Sequence, residues 1–301
     1  MGGPSSARLH WWGTVLYPAV LVAVFLGFQL LLALAGVPRG TEASLAALPA
    51  VAALVLSLPL RLRRCWGERE PWQRLGVTGH TPGVFKALVR GALKAAGLLA
   101  LVIAALILVG ALSWTPRLTA GLLINAAVLG LGVGFAEELL FRGWLLGELS
   151  LLIGQQRALW LQAVLFSLVH TRFNLPPLQL LGLLVGLLLL GLALGLQRRA
   201  DGGLLWGAIG LHGGLVAGWF LLQPGMGLGW ALLFTSAFTA QAAKIGDLTQ
   251  TRWTEQAWRF VTLSDPVVRY ACLGTLLLGI SCGLLGSFLV VRRMALLGDA
   301  L

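Results

Sequence analysis

Charge is scarce in this sequence. Of 301 residues, 22 are Lys or Arg and 11 are Asp or Glu, while 58% are hydrophobic. A soluble domain of this length needs far more charge to cover its surface. The mean hydropathy of +0.87 therefore points to lipid as the surrounding solvent. Cysteine is scarce too. Cys65, Cys272 and Cys282 form no CxxC pair and no metal-ligand spacing. Cys272 and Cys282 lie in an apolar run, where a thiol is packing material. No Gly-rich phosphate loop is present, which argues against nucleotide hydrolysis. Neither an HExxH zinc signature nor a transporter-type internal duplication is present.

The charge that is there is basic, with a net value of +11. In a soluble protein that would suggest nucleic acid. Here the basic residues stand in short clusters between apolar runs, as at Arg61, Arg63 and Arg64, and at Arg198 and Arg199. This is the pattern of the positive-inside rule, so membrane lipid and not nucleic acid is the expected partner.

The apolar runs give the organisation. They cover Thr14–Gly36, Ser44–Leu60, a third from about Lys86 to Leu112, Leu118–Leu149, Arg157–His170, Leu178–Leu196, Leu204–Leu222 and Val267–Val291. The first is too long for a cleaved secretory signal and reads as a retained helix. The segment from Arg64 to about Thr81 is polar and reads as a cytoplasmic surface stretch. Lys86, Arg90 and Lys94, at helical spacing, belong to the same face. Arg117 marks the opposite side. Gly154 lies in a turn, and Thr171–Pro177 is a breaker. Gly182, Gly186, Gly191 and Gly195 suggest close helix packing in lipid.

The expected fold is therefore all-α, a polytopic transmembrane bundle of about eight or nine helices, multi-pass in the cell membrane. Four regions are expected: N-terminal helices and a cytoplasmic stretch (1–117), a motif-bearing helical core (118–222), a weak helix and polar linker (223–264), and a last transmembrane helix (265–301).

Ionisable groups within transmembrane runs are costly and mark function by default. Glu137, Glu138 and Arg142 lie within the fourth run, His170 closes the fifth, and His212 lies midway along the seventh. If runs four and five form a hairpin turning near Gly154, Glu137 and His170 are each about 16 residues from the turn, roughly 25 Å along a helix. They then face each other at one depth, with Arg142 and Phe166 one turn nearer. His212 lies about ten residues, or roughly 15 Å, past the Arg198–Gly203 turn. A structural alternative is that Glu138 and Arg142 pair at i,i+4 and, with hydrogen-bonded histidines, only glue helices. Two adjacent carboxylates point about 100° apart on a helix, so Glu137 has no full share in that pairing.

Glu137-Glu138-Leu139-Leu140-Phe141-Arg142 has the form EExxxR, Phe166 to His170 the form FxxxH, and His212 begins a third motif. In this order they resemble the CPBP family, the CAAX proteases and bacteriocin-processing (Abi) enzymes, over about Leu118–Leu222. The resemblance implies an intramembrane glutamic endopeptidase acting on a protein or peptide substrate. It implies that Glu137 activates water, that His170 assists, and that His212 stabilises the oxyanion. Glu138 and Arg142, with Phe166, would be supports. No cofactor is expected, with zinc on Glu137, His170 and His212 as an alternative.

One position departs from the family pattern. Four residues after His212 the family has Asn or Asp; here stands Val216. An amide or acid is thus replaced by a side chain that cannot donate. A catalytically impaired scaffold on the same fold is accordingly the alternative reading, with Asn174 as a substitute donor. The tail is different again. Leu273–Val291 followed by Arg292 to Leu301 (RRMALLGDAL) resembles the start of a zinc/manganese ABC transporter permease, whose further helices would have to follow. A truncated fusion carrying part of such a permease is the third reading.

Overall fold

The structure, a computed structural model, describes residues 9–38, 41–108, 110, 112–171, 177–222 and 226–228. The run at Val267–Val291, the linker at Gln241–Ser264 and Asn174 lie outside the described residues. The chain begins with α1 (Trp11–Leu34) and α2 (Thr41–Arg61). α2 continues as a π-helical turn, Leu62–Trp66, which stops at Gly67 with φ of 68°. Then come the short α3 (Pro71–Arg74), α4 (Thr81–Leu108) and the strand β1 (Leu112–Trp114).

The fourth apolar run is one continuous helical path. It consists of α5 (Ala120–Glu138), a π-helical segment (Leu139–Leu145) and α6 (Leu146–Ile153). Thr119 caps its start, its Oγ1 accepting from the Leu122 N–H at 3.2 Å. Gly154, at φ 82°, makes the turn into α7 (Gln155–Val169). α8 (Pro177–Ala200), α9 (Trp206–Leu222) and β2 (Met226–Leu228) complete the described chain. β1 and β2 pair antiparallel, Ser113 opposite Gly227, so the otherwise helical bundle carries one short two-stranded ribbon. Helices α1, α4 and α8, and the paths from Leu45 to Trp66 and Ala120 to Ile153, are long and apolar enough to cross a membrane. The chain is an integral membrane protein.

α9 is the centre of the packing, lying against both α4 and α5. Its sequence explains why. Gly207, Gly210, Gly213 and Gly214 remove side chains from both flanks, and the neighbours answer with Gly91 on α4 and Gly130 and Gly134 on α5. A Cβ at Gly134 would stand 2.9 Å from the Gly213 Cα and 3.1 Å from the Ile209 carbonyl oxygen. Backbone thus meets backbone, which is how helices associate where lipid supplies no hydrophobic drive between them. On α8, Gly191 and Gly195 do the same against Ala163 and Leu159 of α7, whereas a Cβ at Gly186 would meet nothing within 4 Å.

The polar stretch after α2 is part of the bundle end and not a loose surface. Leu75 is fully buried, the Gly76 carbonyl accepts from Leu205 N–H at 2.9 Å, and the Trp206 indole donates to the Val77 carbonyl at 2.7 Å. Arg90 pairs with Asp201, and Lys94 donates to Gln197. Arg63 and Arg64 stay exposed, as a topology signal requires. Arg61 instead turns inward to the buried carboxylate of Glu148. That carboxylate also accepts from Thr14 Oγ1 at 2.8 Å, Trp144 Nε1 at 2.7 Å and Trp66 Nε1 at 3.0 Å. One acid thereby ties α1 and α2 to α6.

The α5–α9 contact sets a measurable expectation. Gly213→Ala places a methyl against the Gly130 carbonyl, with the Gly130 carbon 3.0 Å away. Backbone cannot yield as a side chain does, so about 1–3 kcal/mol of stability is expected to be lost. Gly186→Ala is expected to be neutral or slightly stabilising. Thermal unfolding in detergent checks both, and an unchanged midpoint for Gly213→Ala would contradict this close packing.

Candidate functional site

α5 ends on Glu137 and Glu138, and the π segment that follows carries Arg142. Glu137 lies midway along the apolar path from Ala120 to Ile153. α7 brings Gln162, Phe166 and His170 on one stripe, each four residues from the next. α9 brings His212 across from α5 through the glycine contact.

Arg142 and Glu138 are fully buried and pair directly, Nη1 to Oε1 at 2.8 Å. His212 Nδ1 lies 2.9 Å from the same Oε1. A carboxylate oxygen accepts, so Nδ1 carries the proton and Nε2 is turned the other way. It points toward Glu137, 3.9 Å from Oε2. His170 is oriented by the same logic. Its Nδ1 lies 2.7 Å from the Phe166 carbonyl oxygen, which can only accept, and its Nε2 faces Glu137 Oε2 at 3.4 Å.

Glu137 Oε2 thus has two imidazole nitrogens before it, at 3.4 and 3.9 Å, and no hydrogen-bond partner among the described residues. Side-chain exposure separates the two acids. Glu138 is at 0%, whereas Glu137 and His170 are at 30% and 32%. The first belongs to the interior and the other two are partly exposed.

Phe166 forms the wall. Its ring lies 4.7 Å from that of His170 and 5.9 Å from that of His212, and the Arg142 guanidinium sits 4.0 Å over its face. A cation stacked on a desolvated ring gains roughly 2 kcal/mol or more. The structure therefore brings together all six residues singled out in the sequence. It adds one that the motifs did not name. Gln162, fully buried, donates to the Gly191 carbonyl at 3.0 Å, the same oxygen that Arg142 Nη2 approaches at 3.5 Å. Its sequence signal was an amide in an apolar run, one turn before Phe166. Val216 lies one turn beyond His212 within α9. Among the described residues, no group of three His, Cys, Asp or Glu side chains is arranged to hold a metal ion.

No curated protein and no solved structure matches this chain. Residues 264–301 match the model of the ABC 3 transport family, in line with the permease resemblance of the tail. Residues 119–218, which carry Glu137, His170 and His212, match the model of the type II CAAX prenyl endopeptidase Rce1-like family.

Proposed function

We propose that this chain is an intramembrane endopeptidase of the cell membrane that hydrolyses a peptide bond with water activated by Glu137. The observation that carries the reading is Glu137 Oε2, a buried oxygen with no hydrogen-bond partner among the described residues, set 3.4 Å from His170 Nε2 and 3.9 Å from His212 Nε2 on a side chain that is itself 30% exposed. The reaction needs a water to enter between this carboxylate and the two Nε2 atoms, from the side on which Glu137 and His170 are partly exposed. Glu137 takes one of its protons while the oxygen attacks the carbonyl carbon of a protein or peptide substrate. His170 holds the water in line. The carbonyl oxygen becomes an oxyanion beside His212, whose ring Glu138 holds through Nδ1–H with Nε2 turned toward the site. Glu137 then returns the proton to the leaving amine, so the reaction consumes one water and restores the carboxylate.

Arg142 and Glu138 support this arrangement without touching the substrate. Arg142 neutralises Glu138, and Glu138 fixes the tautomer of His212. The match at residues 119–218 supports the reaction class. A prenylated substrate is what the family's name describes; for this chain the substrate class proposed is a peptide segment presented at membrane depth.

Val216 favours a second reading, a catalytically impaired scaffold on the same fold. The family's donor is replaced by a branched hydrocarbon, and loss of one oxyanion donor costs on the order of 10²–10³ in rate in other hydrolases.

Three measurements separate these readings. Glu137→Gln keeps shape and removes the base, so turnover of a peptide library is expected to vanish with unfolding unchanged. Undiminished cleavage would end the glutamate mechanism, and inhibition by a chelator reversed by zinc would replace it with a metal one. Arg142→Ala leaves Glu138 buried without its cation, at a cost of about 3–5 kcal/mol. An unfolding midpoint like that of the unsubstituted protein would show that the pair does not support the site. Val216→Asn puts an amide one turn beyond His212 and is expected to raise turnover, by up to roughly 10²–10³. Absence of cleavage in both the natural sequence and Val216→Asn would favour the scaffold.

A further inference from the structure

The basic end of the bundle holds charge that the site does not use. Arg198, at the end of α8, spreads its guanidinium over backbone carbonyls only. Nε donates to Gly203 at 3.1 Å, Nη2 to Arg74 at 3.0 Å, and Nη1 to Arg142 and to Gly143, the latter at 3.3 Å. A guanidinium has five N–H donors. Four are directed at these oxygens, and no carboxylate is among its acceptors. Both Arg142 and Gly143 lie in the π-helical segment Leu139–Leu145.

Beside Arg198 is a recess of about 180 Å³, lined by Arg74, Arg198, Arg199, Trp66, Ser150 and Gln155 among others. No acidic residue lines it. Arg199 anchors one side through the Gln155 carbonyl. Arg74 is about half exposed, and its nearest carboxylate, Glu68, stands at 3.9 Å. The recess joins a wider cleft of about 880 Å³ that shares Arg74, Arg198 and Gly203 and adds Arg69, Glu68 and Glu70. Among the described residues the acids therefore stay in the outer cleft, and the inner recess sets three arginines beside uncharged groups such as Trp66, Ser150 and Gln155.

Its depth is set by the spans. Trp66 is the last residue of one membrane-length helix path, Ser150 lies three residues from the end of another, and Arg198 and Arg199 close a third. The recess thus opens where apolar helices give way to polar chain, the level of phospholipid headgroups. Arginine forks match phosphate oxygens, and Trp66 offers an aromatic body at the boundary.

We infer that this recess binds the phosphate of an anionic phospholipid headgroup, held by Arg74, Arg198 and Arg199. The same chemistry would take a soluble phosphate monoester, and the two sources are separable. Arg198 also bonds the carbonyls of Arg142 and Gly143, so a lipid seated here rests against the backbone that carries Arg142. The inference does not depend on the protease reading, because its readout is lipid retention.

The test uses the full chain in nanodiscs of phosphatidylcholine with an equal share of phosphatidylglycerol, released into native mass spectrometry. The protein is expected to retain phosphatidylglycerol over phosphatidylcholine. Arg74→Gln combined with Arg199→Gln, which leaves Arg198 in place, is expected to reduce that preference on the order of tenfold. The combined Arg74→Lys and Arg199→Lys substitution keeps the charge, controls for folding, and is expected to retain most of the preference. Millimolar glycerol phosphate is expected not to displace the lipid. Displacement by glycerol phosphate with no preference among lipids would assign the recess to soluble phosphates and overturn the lipid assignment. No preference in the unsubstituted chain, or the same preference in the double Gln variant, would overturn the site.

Discussion

The rest of the site depends on one buried ion pair, Glu138 with Arg142. An ionised carboxylate alone at this depth is costly, because neither lipid nor the packed helices offer it water. Arg142 supplies the opposite charge at 2.8 Å, and the face of Phe166 receives the guanidinium at 4.0 Å. With its charge balanced, Glu138 can spend its oxygen Oε1 on His212 as well. That second bond decides which nitrogen of His212 faces Glu137. The adjacent acid is thus left with free acceptor capacity, while its neighbour carries the structural work.

The His212–Glu138 bond in turn depends on helix approach. His212 reaches Glu138 because α9 and α5 meet at glycine, with Gly213 immediately beside His212. Helices held apart by ordinary side chains stand 8–10 Å axis to axis, and a histidine would have to span more of that gap. The π segment after Glu138 contributes at the other end. It widens the turn that carries Arg142, and its carbonyls at Arg142 and Gly143 accept from Arg198. π-helical turns of this kind recur at functional sites, where they redirect side chains that a regular helix would aim elsewhere.

Much of this was legible in the sequence because the constraints were local. The helical bundle followed from apolar runs, and the turn at Gly154 followed from a glycine that takes positive φ. The convergence of Glu137, His170 and His212 followed from counting residues from two turns, since helical rise is fixed. The count set Glu137 and His170 at one depth and His212 about 10 Å off it, and the glycine contact between α9 and α5 brings His212 to Glu138. Other features were not legible. The stretch after α2 reads as polar surface, yet the Trp206 indole anchors it at the Val77 carbonyl, a contact between residues 129 apart that no local pattern encodes. Arg61 reads as a topology signal with Arg63 and Arg64, and only the position of Glu148 turns it inward. Gln162 is visible as an amide in an apolar run, but its partner, a glycine carbonyl on another helix, has no sequence signature. The β1–β2 ribbon is three residues a side and falls below any periodicity.

Glu148 and Glu137 show how a buried acid can be read for purpose. Both lie in the same helical path, eleven residues apart; the EExxxR motif singles out Glu137 and passes over Glu148. Glu148 accepts from a hydroxyl, two indoles and a guanidinium, which together engage both oxygens. A carboxylate so saturated has no lone pair to offer and gains its value by joining α1 and α2 to α6. Glu137 is the opposite. One oxygen is unpaired although two imidazoles stand within 4 Å, and the side chain is partly exposed. A fold that needed only adhesion would be better served by closing those distances or by an apolar residue of the same volume. Glu138 also has an unpartnered Oε2, but it is fully buried and paired with Arg142; what sets Glu137 apart is that its side chain is 30% exposed, beside a similarly exposed His170. The arrangement makes physical sense if a water molecule and then a substrate complete it.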